Sequence, residues 1–191
     1  MQAMYTKKNK GFTLVETLVA ISILSLSIAA TFTAVQNGIQ NSTIAKDQTI
    51  AFYLAQEAME YIKNKRDNNA LATLNNPDAP TNWLVGMSAV AGDPCRFDKV
   101  CRIDSPNKTI VECGSVAITS NPPNVCPNLK QEASSSLYGH LDGWTDTRFK
   151  REIQFQEVFI NREVRVFVTV SWTSRGGTRH FQAVETLLNR Q

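Results

Sequence analysis

The chain has 191 residues, with 20 Lys and Arg against 17 Asp and Glu, a formal charge of +3 and 42% hydrophobic residues. Lys7, Lys8 and Lys10 precede Gly11, and beyond it the two signs balance at 17 each, so the basic pI carries no argument for nucleic-acid binding. The length suits one globular domain beyond a membrane segment. Only His140 and His180 are present, and no Ser/His/Asp or Cys/His spacing points to an enzyme or a cofactor.

The first feature in chain order is Lys10-Gly11-Phe12-Thr13-Leu14-Val15-Glu16: a basic leader, a glycine, then an apolar run with one acid near its start. No charged residue follows Glu16 until Lys46. Such a run spans a bilayer, which takes roughly 20 apolar residues at 1.5 Å rise each. A carboxylate inside it costs roughly 2.5–3.5 kcal/mol by insertion scales, so it needs a partner or a purpose. A secretory signal peptide would instead be cut after its apolar core, near Ser27-Ile28-Ala29 or Ala29-Ala30-Thr31. A plain anchor needs neither the boundary glycine nor the acid.

Lys7, Lys8, Lys10, Gly11, Phe12, Thr13-Leu14 and Glu16-Thr17-Leu18 follow one another without a gap. In this order they resemble the class III leader and N-terminal motif of type IV prepilins and of type II secretion pseudopilins. The resemblance implies that a membrane prepilin peptidase cuts after Gly11 and methylates the new N-terminal Phe12. Gly11, lacking a Cβ, lets the backbone approach catalytic groups closely, and the three lysines hold the leader on the cytoplasmic side. Glu16 would meet the N-terminal amine of a neighbouring subunit, exchanging an unpaired acid for a charge-assisted contact; the plainer alternative is a carboxylate near the headgroups, solvated or protonated. The implied organisation is a cleaved leader (1–11), a transmembrane and filament-core helix (12–43) and an exported globular domain (44–191). The implied partners are the peptidase, other pilin or pseudopilin subunits, an inner-membrane assembly platform, and membrane lipid before assembly. The chain would be a single-pass inner-membrane protein with its C-terminal domain outside the cytoplasm, later part of an extracellular or periplasmic filament.

The helix is expected to outrun the membrane. Pro77 is the first proline, and Ile44, Ala51, Leu54, Ala55, Ala58, Met59 and Ile62 recur every three or four residues, with Asp47, Glu57, Lys63 and Arg66 at the other positions. One helix over 12–68 would be ~85 Å long. The stretch 51–69 also resembles minor pilins of the pilus-modification type. Many major pilins carry a kinking proline late in the membrane segment; here only Thr31, Thr33 and Gly38 stand there, so a kink would come from Gly38 or hydroxyl back-bonding. That favours a minor subunit.

Over 71–147 the periodicity dissolves into turn chemistry, with short strands expected at 110–112 and 116–119. All four cysteines, Cys95, Cys101, Cys113 and Cys126, fall here. An exported domain meets an oxidising compartment, so disulfides are expected. Four cysteines allow three pairings; Cys95–Cys101 with Cys113–Cys126 is expected because it staples two local loops. A zinc site lacks any CxxC knuckle, and Asp142-Gly143-Trp144-Thr145-Asp146 has no EF-hand spacing and reads as a turn.

The last segment, 148–191, changes period. Three runs alternate apolar with polar, separated by turn residues, and read as an antiparallel meander with one buried face: Ile153, Phe155, Val164, Val166, Val168, Val170, Trp172, Phe181 and Val184. The expected fold is therefore α+β: a long N-terminal helix, membrane-spanning in its first half, packed on a C-terminal antiparallel sheet with a disulfide-stapled loop region (71–147) between. Arg148, Lys150, Arg151, Arg162, Arg165, Arg175, Arg179 and Arg190 make this segment basic, so a DNA strip with Phe149, Phe159 or Trp172 for stacking competes with a plain solvated face. The functional reading is a minor pilin or pseudopilin, structural or priming; the alternatives are a filament-tip adhesin or DNA-uptake receptor and a type II secretion minor pseudopilin. No motif supports a DNA or surface ligand, and none supports a membrane-tethered enzyme.

Overall fold

The computed structural model describes residues 11, 13–76, 82–97, 99–115, 122–174 and 176–189. Lys7, Lys8, Lys10, Phe12, Arg175, Arg190 and the expected strand at 116–119 lie outside the described residues. Two compact units divide between Ala45 and Lys46.

Helix α1 runs Leu14–Asn75, past its expected end and unbroken at Gly38. No proline stops it earlier, and its last stretch contains good helix formers (Ala70, Leu71, Ala72, Leu74). In the first unit residues 14–45 cover ~48 Å at 1.5 Å per residue, more than the ~30 Å of a hydrocarbon core. Its large apolar side chains, Leu14 to Ile39, are exposed, and α1 is long and apolar enough to cross a membrane. The hydroxyls of Thr17, Ser22, Ser27, Thr31, Thr33 and Thr43 each donate to a carbonyl three or four residues back. A segment surrounded by lipid must satisfy its polar groups internally in this way.

The second unit sets the rest of α1 on an antiparallel sheet. Its strands are β1 (Val100–Asp104), β2 (Thr109–Gly114), β3 (Asn128–Gln131), β4 (Tyr138–Gly139), β5 (Thr145–Phe159), β6 (Glu163–Ser174) and β7 (Gly177–Leu188). The long strand β5 is central, with β6 on one edge and β1 and β3 sharing the other. The β5-β6-β7 meander and the strand around Ile110 match expectation. Strands β1, β3 and β4 do not: the stretch read as loops contributes them to the same sheet. They are two to five residues long, too short for alternation to declare itself.

The helix face Ala51, Leu54, Ala55, Ala58, Met59 and Ile62 packs on Ile153, Phe155, Val166, Val168, Val170 and Trp172. Three alanines in that face let the backbone of α1 lie close to the sheet. Phe181 is half-buried, as expected for the inner face. Val184 is a correction: it is 50% exposed, because β7 side chains alternate with period two and Phe181, Ala183, Glu185 and Leu187 are the inward set. Asp47 is a second correction, since it is fully buried rather than on the solvent face.

Candidate functional site

The start of α1 is built by local chemistry. Thr13 Oγ1 accepts the N–H of Glu16 at 3.3 Å, so Thr13 is the N-cap and Thr13-Leu14-Val15-Glu16 has the spacing of a capping box. Glu16 then lies in the first turn, where the helix dipole favours an anion. Both Gly11 and Glu16 are exposed, and a Cβ added at Gly11 would meet nothing within 4 Å. Among the described residues no cation pairs with the Glu16 carboxylate. An open glycine and an acid with no cation partner among the described residues flank the same helix start. The capping role of Thr13 has a signal in the sequence, the Thr-x-x-Glu spacing, which the reading of the motif passes over.

Cys95 is joined to Cys101 and Cys113 to Cys126. The first bond ties the turn segment 82–97, which contributes Trp83, Leu84 and Met87 to the core, onto β1. The second ties β2 to the segment leading into β3. With all four cysteine sulfurs in disulfides, none is a thiolate that could bind zinc.

The residues read as a basic strip do other work. Arg151 is fully buried on the inner face of β5: Nη1 donates to Leu54 O and to Glu57 Oε2, both at 3.0 Å, and Nη2 donates to Ile103 O at 2.8 Å. Burial lowers its pKa from the usual arginine value, and the Glu57 carboxylate opposes that shift. Arg148 pairs with buried Asp47. It lies where the β3–β5 register slips (Asn128↔Lys150 but Lys130↔Asp146), an irregularity that turns a strand side chain off its face. Lys150 Nζ donates to Asn124 Oδ1 at 2.7 Å. Phe149 and Trp172 are buried and so cannot stack on bases. Arg162, Arg165 and Arg179 remain exposed.

Glu152, on the opposite face of β5, is 1% exposed. Its carboxylate accepts the N–H groups of Asn124, Val125 and Cys126 at 2.8, 2.6 and 2.8 Å, holding that segment across the sheet. Neither Arg151 nor Glu152 stands out in the sequence for such a role, because their partners lie far away in the chain. An open depression of about 790 Å³ between α1 and the β1–β2 turn is lined by both signs, among them Glu57, Lys63, Arg66 and Lys108; it has the character of a solvated surface, with no nucleophile–base pair.

Residues 6–32 match the family model of the prokaryotic N-terminal methylation motif. The match supports a type IV pilin-like or pseudopilin-like protein, and the motif belongs to structural filament subunits rather than enzymes. It implies processing by a prepilin peptidase and assembly with other pilin subunits, and together with the apolar helix it is consistent with membrane anchoring and a filament. No curated protein and no solved structure matches the chain.

Proposed function

We propose that the chain is a minor pilin or pseudopilin, a structural or priming subunit of a type IV pilus-like filament, assembled through α1. The observation that carries this reading is the methylation motif over residues 6–32 placed at the start of an apolar helix whose first-turn acid is exposed. In sequence of events, Lys7, Lys8 and Lys10 hold the leader in the cytoplasm, and prepilin peptidase cuts between Gly11 and Phe12 and methylates the Phe12 amine. Residues 12–43 anchor the chain in the inner membrane, with residues 44–191 outside the cytoplasm. On assembly Glu16 accepts the charged amine of a neighbour, which removes the cost of burying either charge alone and selects one axial register. The lack of proline in the membrane half supports a minor over a major subunit.

The test is mass spectrometry of the N-terminal peptide from membranes of hosts with and without the peptidase. A chain beginning at N-methylated Phe12 only where the peptidase is present is expected. A Met1 start in both hosts, or a start near Thr31, overturns the proposal. The Glu16→Val variant should still be processed yet be poorly incorporated into filaments; normal incorporation refutes the role of Glu16.

A further inference from the structure

We propose that the outer edge of β7 is a strand-pairing site that takes an extended segment of another polypeptide. Among the described residues β7 pairs with β6 alone, in unbroken register from Glu163↔Leu188 to Ser174↔Gly177. The N–H of Asn189 donates to Arg162 O at 2.8 Å, continuing that register by one pair and fixing its phase. In an antiparallel strand the N–H and C=O of one residue point to the same side, and the side alternates along the chain. The odd-numbered residues of β7 therefore bond to β6. The even-numbered ones, from Thr178 through Gln182 and Val184 to Leu188, direct their backbone groups away from the sheet.

Folded proteins blunt such edges with short strands, prolines, bulges or charges. β7 is 12 residues long, without proline or bulge; its even positions carry no Asp, Glu, Lys or Arg, and its two charges, Arg179 and Glu185, stand on the odd positions. The other outer strands among the described residues are shorter, β2 with 6 residues and β4 with 2. A continuous row of backbone donors and acceptors at two-residue spacing is complementary to an extended chain and to little else.

The side chains beside the edge specify that chain further. Toward α1, Phe181 meets Phe52 with ring centroids 5.8 Å apart, and Phe52 meets Tyr53 at 5.6 Å. Phe52 and Tyr53 are nevertheless 47% and 64% exposed, an aromatic shelf with one side uncovered. Glu185 is already paired with Lys63 at 3.0 Å, whereas the Arg179 guanidinium has only the Ser174 hydroxyl and no carboxylate among the described residues. The segment that fits has apolar side chains toward the shelf, an acid against Arg179 and uncharged residues on its other face. A second copy of β7 fits less well. Antiparallel self-pairing about Gln182 would set Arg179 against Glu185 but would reverse the two α1 helices, which copies anchored in one membrane, on the function proposed above, point the same way.

The experiment uses the full chain in detergent micelles with its disulfides intact. The probe is a nine-residue synthetic peptide alternating valine and threonine, with one aspartate on the valine side near an end. A control peptide carries N-methyl groups on alternate amides and cannot pair. Deuterium exchange of the Gln182, Val184 and Thr186 amides should slow about tenfold with the first peptide at millimolar concentration and not with the control. Arg179→Glu should shift the preference to the corresponding lysine peptide. Val184→Pro removes one edge N–H while sparing the β6 ladder, and should abolish the protection; should that variant unfold, the N-methylated control still decides. Equal effects of the two peptides, no slowing, or slow exchange of these amides in the free chain overturn the proposal. Protection that rises with protein concentration without peptide also overturns it, by making a second copy the occupant.

Discussion

Arg151 and Glu57 permit a stringent test of how α1 is held on the sheet, because one member of the pair is fully buried and the other has its side chain 39% exposed. Glu57→Gln leaves a buried cation with two carbonyls, a neutral amide and only the through-space attraction of the Asp104 carboxylate. Stranding a buried charge costs ~3–5 kcal/mol, and the partial exposure of Glu57 places this case near ~3. Arg151→Met removes the cation, fills similar volume with apolar atoms and frees Glu57 to turn to water. What remains is the lost donor to Ile103 O, with Leu54 O still able to accept within the helix, so the cost is about 1–2 kcal/mol. The double variant should resemble Arg151→Met alone, since the amide introduced by Glu57→Gln would then face no stranded charge. The assay is guanidinium denaturation of the full chain in micelles at neutral pH under non-reducing conditions, followed by the fluorescence of Trp83, Trp144 and Trp172. If Glu57→Gln is no more costly than Arg151→Met, the carboxylate is not what keeps the buried guanidinium in place.

Replacing both Cys113 and Cys126 by Ser should cost ~3 kcal/mol and replacing Cys95 and Cys101 ~2, following the loop lengths each bond closes; the same denaturation curves report both, and the reverse order refutes the loop-entropy account. His140 is pushed down to about 4 from the ordinary 6.5, by burial first and then by Arg102. Between those values the unfolded chain holds a proton that the folded chain excludes. Stability is therefore intact above pH 6.5 and falls toward pH 4 by on the order of 2 kcal/mol after allowance for partial exposure. His140→Gln should flatten that part of the pH profile, and an unchanged slope would assign it to other groups. Gly139→Ala would set a Cβ 2.8 Å from Asp104 Oδ1 and 3.1 Å from the Trp144 ring; a loss of ~1–3 kcal/mol, read as a lower thermal midpoint, is expected from such overpacking.

The helix and the meander were legible because each obeys one period over a long stretch. No proline interrupts 1–76, and apolar residues three and four apart mark the face that the sheet covers. Alternation along 149–172 gave Ile153, Phe155, Val164, Val166, Val168 and Val170 as inward, which they are. Val184 was misplaced because Glu185 occupies the next inward slot, and a carboxylate there looks wrong until Lys63 is seen above it at 3.0 Å. Asp47 and Arg151 were misplaced for the same physical reason: a charge on a core face is acceptable only with its partner present, and the partners stand 101 and 94 residues away. Over residues 6–32 the order of residue types is what matches the methylation motif, whereas the interaction by which Thr13 caps the helix was visible only as spacing.

These misplaced charges do something the apolar residues cannot. The face of α1 that meets the sheet is rich in alanine, and an alanine surface is smooth, so packing alone distinguishes poorly between registers one turn apart. Asp47 with Arg148, Glu57 with Arg151 and Lys63 with Glu185 span sixteen helix positions, ~24 Å along the axis. Sliding the helix by one turn would break all three and leave Arg151 without its acid at the cost worked out above. Buried ion pairs are weak sources of net stability, and fixing register is among their best-attested uses. The Asp47 and Glu57 pairs, each with one fully buried member, therefore favour one register of α1 on the sheet, and the more exposed Lys63–Glu185 pair adds to that preference.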